Sequence, residues 1–145
     1  MDYAVDSNIL IYLANPDSEQ YSVSLSATQH IANSGDGLFV FPQNLIEFYA
    51  VATRPISSNG LGFTTAQASD ELAEIRSTFN LIDETPDIYP EWERLVAEHG
   101  VLGKNVHDAR IAAQMNVNKI GILLTFNTRD FQRFTEIKAI DPSSV

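Results

Sequence analysis

The sequence predicts an α/β fold in which a central parallel β-sheet of about five strands is sandwiched between helices. Three observations predict it. Apolar runs of strand length recur along the chain, each bounded by Gly, Pro, Asn or Asp. Segments of helical periodicity lie between them, and this alternation favours parallel strands covered on both faces. The chain is 145 residues long and 44% hydrophobic, enough for one good core, so residues 1–145 read as a single domain.

In chain order, the first strand is Tyr3 to Val5. A short helix follows from about Asn8 to Ala14, and Asp6, Ser7 and Asn8 are all residue types that cap helix starts well. The next helix, Ser22 to Asn33, leads to the strand Leu38 to Phe41. In the helix Pro42 to Thr53, Leu45, Phe48, Tyr49 and Ala52 form one stripe, while Ile46, Ala50 and Val51 make the other side largely apolar too. Such a helix has little solvent face. Arg54 to Thr64 is the most loop-like part of the chain, because Pro55 stops the helix and two glycines with Asn59 favour turns. Helix Thr65 to Ser77, strand Phe79 to Ile82, helices Ile88 to His99 and Val106 to Val117, and strands Ile122 to Thr125 and Ile137 to Ile140 complete the pattern.

Composition excludes several classes. The apolar runs fall far short of the roughly 20 residues a membrane span needs, and the N-terminus lacks the basic flank of a secretory signal. Cysteine is absent, which removes disulfides and thiolate metal sites and fits a reducing compartment. A soluble cytoplasmic protein with no membrane association is the expectation. The formal net charge of −10 is the reverse of the basic footprint usual for nucleic-acid binders.

Four acids stand out against this background. Asp6 directly follows the first strand, at the edge where open parallel sheets collect ligands, and is either a helix cap or a functional carboxylate. Glu47 sits alone in the apolar helix and must be paired, protonated or bound to a cation, unless it lies on a narrow exposed edge near Arg54. Asp108 shares a helix face with Ile111, Ala112 and Met115 and so points inward from a first turn, where the helix dipole favours negative charge and Asn105 is a candidate cap. Thr125, Asn127, Thr128 and Asp130 crowd the end of the strand Ile122 to Thr125, and Asp130 taken alone reads as a turn or cap residue.

The ordered set VDSNILIYL, IEFYAVATRP, HDARIAA and LLTFNTRDF, spanning Asp6 to Phe131 and continuing to Phe134, resembles the PIN-domain family and most closely its VapC-type toxins of prokaryotic toxin–antitoxin pairs. The resemblance implies a PIN-like fold. It also implies that Asp6, Glu47 and Asp108 ligate metal, with Ser7, Asn8, Thr125 and Asn127 as supporting polar residues. Part of the family carries Asp where this chain has Asn127, so the fourth acidic role falls either there or on Asp130. Oxygen ligands of this kind suit Mg²⁺ or Mn²⁺ rather than zinc, and the implied reaction is endonucleolytic hydrolysis of RNA. A cognate antitoxin is implied as partner. A homodimer is implied too, and the surplus apolar surface around Ile9 to Leu13 and on the Leu45 helix points the same way.

Arg54, Arg110 and Arg129 are candidate contacts to RNA phosphates, with Lys104, His107 and Arg133 also near the motifs in sequence. Two other classes compete. In a haloacid-dehalogenase-like phosphatase Asp6 would be the nucleophile, but the second Asp that such enzymes carry two residues later is Asn8 here. A non-catalytic interaction module on the same fold is opposed by the retention of Asp6, Glu47 and Asp108.

Overall fold

The computed structural model describes all residues from Met1 to Val145. Five parallel strands, β1 (Asp2–Val5), β2 (Gly37–Val40), β3 (Asn80–Leu81), β4 (Ile122–Leu124) and β5 (Lys138–Ile140), form one sheet in the order β3-β2-β1-β4-β5. Six helices cover it: α1 (Ser7–Leu13), α2 (Tyr21–Asn33), α3 (Pro42–Ala52), α4 (Thr65–Thr78), α5 (Ile88–His99) and α6 (Val106–Val117).

The strand residues alternate between two cores. Tyr3 and Val5, Leu38 and Val40, and Ile122 and Leu124 face α1–α4, whereas Ala4, Phe39 and Leu123 face α5 and α6. Both faces are therefore apolar, and the strands read as continuous hydrophobic runs rather than as alternating ones. The three-layer α/β architecture expected from the sequence is the one observed.

Departures lie at the ends of elements and on one face of α3. Phe41 and Phe79 lie outside their expected strands: Phe41 caps α3, its N–H donating to Asn44 Oδ1 at 2.8 Å, and Phe79 closes α4. Both side chains are buried, so their hydrophobicity reports the core and not strand pairing. A 3₁₀ turn, Gly103–Asn105, leads into α6, so Asn105 makes no side-chain cap bond. On α3, Ile46 is 68% exposed and Ala50 is exposed, so this helix has more solvent face than its composition suggests. Within the Arg54–Thr64 loop, a Cβ at Gly60 would stand 2.0 Å from the Arg54 carbonyl oxygen, and only glycine permits that approach. No helix is long and apolar enough to cross a membrane.

Candidate active site

From β1 the chain turns back through α1 to β2 on one side, while β4 and β5 lie on the other. The C-terminal ends of β1 and β4 thus flank a point where strand order reverses, the place where open α/β sheets leave a crevice. Asp6 stands there, its N–H donating to Leu124 O across the two strands at 3.0 Å. Its carboxylate is buried, with 6% of the residue exposed. Oδ1 accepts from the Ser7 N–H at 2.8 Å, and Oδ2 accepts from the Thr125 hydroxyl at 2.7 Å and the Asn8 amide at 3.3 Å. Asp6 is therefore a cap and a site carboxylate at once.

The strand-end residues interlock around it. The Asn8 amide also donates to Thr125 Oγ1 at 3.1 Å, and Asn8 Oδ1 accepts from the Phe126 N–H at 3.3 Å. Asn127 joins through its backbone N–H, 3.0 Å from Thr125 Oγ1, while the residue itself is exposed.

Glu47 is held from two sides. Ser7 Oγ donates to its Oε2 at 3.1 Å, which links α3 to the start of α1, and Gln43 Nε2 donates to its Oε1 at 2.7 Å. Gln43 is the site residue that the sequence reading missed. Its amide also donates to His107 O at 2.9 Å, and its Oε1 accepts from Arg110 Nη1 at 2.9 Å and from Gln114 Nε2 at 3.0 Å. The buried Gln43 thus fastens Glu47 to the first turn of α6, next to Asp108. The only local signal for it was its place four residues before Glu47, one helical turn away.

Asp108 enters half-buried from α6, and Asp130 from the 3₁₀ turn Thr128–Phe131. Burial raises the Asp108 carboxyl to about 6, the charges of Asp6, Asp130 and Glu47 adding to the effect and His107 opposing it. Burial also raises Asp6; Thr125 and the Ser7 N–H counter it, and Glu47 and Asp130 push it further up. The four acids thus share one electrostatic neighbourhood, and the fourth negative charge acting on Asp6 and Asp108 is that of Asp130. No three His, Asp or Glu side chains close to ligand spacing around a single point.

Of the candidate RNA contacts, Arg110 is engaged by Gln43 and by an ion pair with Glu84. Arg129 is exposed beside Asp130. Arg54 lies past the end of α3, roughly 10 Å of helix rise beyond Glu47 and exposed.

The sequence model of the PIN domain matches residues 3–137. The chain belongs to the PIN-domain family. Solved PIN structures agree over nearly the whole length. VapBC2 from Rickettsia felis, solved bound to a DNA fragment from its promoter, aligns with a TM-score of 0.72 at 19% identity, covering 97% of this chain and 98% of that one. VapBC-1 from nontypeable Haemophilus influenzae gives 0.71 at 19% identity, with 99% of each chain covered. VapC20 of Mycobacterium tuberculosis, a Sarcin–Ricin loop cleaving toxin, gives 0.63 at 17% identity over 88% of this chain and 92% of that one. At these identities the likeness is one of fold. No curated protein matches the chain by sequence.

The PIN fold thus frames a donor set of carboxylate oxygens, hydroxyls and amides with no sulfur. Such a set fits a hard divalent cation, which takes oxygen ligands. Two carboxyls whose ionisation is held back by burial and by neighbouring negative charge are what a cation at this edge would relieve.

Proposed function

We propose that this chain is a metal-dependent endoribonuclease that hydrolyses RNA phosphodiester bonds, and that it is the toxin of a VapBC-type toxin–antitoxin pair. The observation that carries the reading is that four acids from separate parts of the chain share one edge of the sheet, where the charges of Glu47 and Asp130 add to the burial that raises the Asp6 and Asp108 carboxyls. Asp6, Glu47 and Asp108 would hold Mg²⁺ or Mn²⁺. The ion, when bound, supplies an activated water and charge stabilisation at the phosphate.

The rest falls to the protein's own groups. Thr125, Ser7 and Asn8 fix both oxygens of Asp6, and Gln43 with Ser7 fixes both oxygens of Glu47, so neither acid has to reorganise during the reaction. Asp130, exposed at the rim, orients the attacking water. Asn8 has no proton to give a leaving group and is committed to Asp6 and Thr125, which weighs against a phosphatase with Asp6 as nucleophile. A cytoplasmic location and a homodimer belong to the same reading, and so does a cognate antitoxin, which the solved VapBC complexes of like fold support.

The test is RNA cleavage by the purified chain. Mg²⁺ or Mn²⁺ should support it, EDTA should abolish it, and Asp6→Asn should remove it while the circular dichroism spectrum stays that of the wild type. Cleavage undiminished in EDTA overturns the metal-dependent mechanism.

A further inference from the structure

Beside the acidic edge, on the other side of the α6 first turn, α5 and α6 enclose a groove of about 450 Å³ lined by Glu84, Tyr89, Trp92, Val106, His107 and Arg110. We propose that this groove seats a nucleobase of a single-stranded RNA, stacked on Tyr89 and Trp92, next to the phosphate that is cut. The proposal rests on the nuclease reading and names what that reading leaves open, which is where the strand lies.

The volume is in the range of small-ligand sites. Part of its lining is aromatic: the Tyr89 and Trp92 rings lie 5.6 Å apart with planes tilted by 34°, between parallel and edge-on. Trp92 is pinned by its indole N–H, which donates to Val106 O at 2.8 Å and fixes the ring against the start of α6. Tyr89 is 62% exposed, so nothing in the core accounts for it. Its hydroxyl donates to Glu93 Oε2 at 3.0 Å, one helical turn on, and its ring lines the groove.

Geometry joins the groove to the acids. Successive residues of α6 are rotated by about 100°, so His107 and Arg110 face the groove while Asp108, between them in sequence, faces Asp6 and Glu47. Arg110 uses N–H groups on Gln43 and Glu84 and has others to spare for a phosphate. Trp92 is bonded to the backbone of Val106, two residues before Asp108, so a base on Trp92 and a phosphate at Asp108 would meet at the same end of α6.

The arrangement also answers the charge. With nine Lys and Arg against nineteen Asp and Glu, the chain has few cations with which to neutralise phosphates. Stacking needs no positive charge, and each base contributes substantially through it.

The chain contains one tryptophan, so Trp92 emission reports on this groove alone. Full-length Asp6→Asn protein in Mg²⁺ is titrated with a random-sequence RNA dodecamer pool, while filter retention counts bound RNA in parallel. We expect Trp92 emission to change saturably along the same curve as retention. Adding Tyr89→Ala should weaken both by about tenfold, and in the otherwise wild-type enzyme it should raise KM by a similar factor with little change in kcat. Alanine at this exposed helix position favours the helix, so the variant keeps the fold. Retention that saturates while Trp92 emission stays flat, or an unchanged KM in Tyr89→Ala, overturns the groove and leaves the nuclease reading intact. Absence of both retention and wild-type cleavage overturns the two together.

Discussion

Ionising Asp108 in the folded protein works against its burial and against three neighbouring acids. Its folded pKa of about 6 lies above the ordinary value of 3.8. The native state therefore holds a proton that the unfolded chain releases, and stability falls as pH rises from about 4 to about 6. A shift of this size corresponds to about 3 kcal/mol if unscreened. Because the side chain is only half-buried, screening reduces this to about 1 kcal/mol. In EDTA, Asp108→Asn should thus melt at or above the wild-type temperature at pH 7 and lose that pH slope. Adding Mg²⁺ should reverse the ranking, since the ion binds the native wild-type site and stabilises it by mass action; parallel melts in EDTA and Mg²⁺ would remove Asp108 from the site. Gln43→Leu should lower Mn²⁺ affinity by about 10- to 100-fold, as removal of a group supporting a ligand does, read by calorimetry. Asp6, Glu47 and Asp108 were legible because a carboxylate inside an apolar stripe is an anomaly in any sequence. Gln43 was not, because glutamine on a helix is ordinary and three of its partners, His107, Arg110 and Gln114, come from 64 to 71 residues away. The choice between Asn127 and Asp130 was also beyond the sequence, since it depends on how the turn after β4 aims each side chain.

Among the elements, the loop from α3 to α4 carries its own test. Gly60 N donates to Pro55 O at 3.0 Å, Gly62 N to Arg54 O at 2.9 Å and Phe63 N to Ala52 O at 2.8 Å, a tight return that brings the backbone of Gly60 onto Arg54. Gly60→Ala would force the two apart, and we expect a loss of about 1–3 kcal/mol in denaturant unfolding, with RNA cleavage at low temperature retained. Helix and strand identities were readable because the apolar runs keep strand length and the helices keep their stripes. Pro55 and Asn59 also marked this loop correctly, although it includes the 3₁₀ turn Ile56–Ser58. Strand ends were less readable where a buried aromatic such as Phe41 or Phe79 serves the core just outside the ladder. The strand order had no local signal at all: that β1 sits between β2 and β4 is decided by which sheet face each crossover helix covers.

For the molecule as a whole, the apolar surface expected around Ile9 to Leu13 is largely taken up by the core, with Ile9, Leu10 and Leu45 buried, whereas Ile46 and Ala50 leave an apolar strip on α3 open to solvent, and there a second copy is expected. Light scattering at tens of micromolar should report a dimer, and Ile46→Lys a monomer. Each copy carries a net charge of −10, so raising salt should tighten the dimer by screening the repulsion; a wild-type monomer at every salt concentration would contradict the assembly. One contact has a further meaning in time. The Thr125 hydroxyl that fixes Asp6 is 119 residues later in the chain. At a synthesis rate of about 5–20 residues per second, Asp6 is made roughly 6 to 24 seconds before it. Until then β1 lacks the strand that completes its far side, and the growing chain has no finished acidic edge. The acidic edge is therefore assembled only in the last part of each round of synthesis, once Thr125 has joined Asp6.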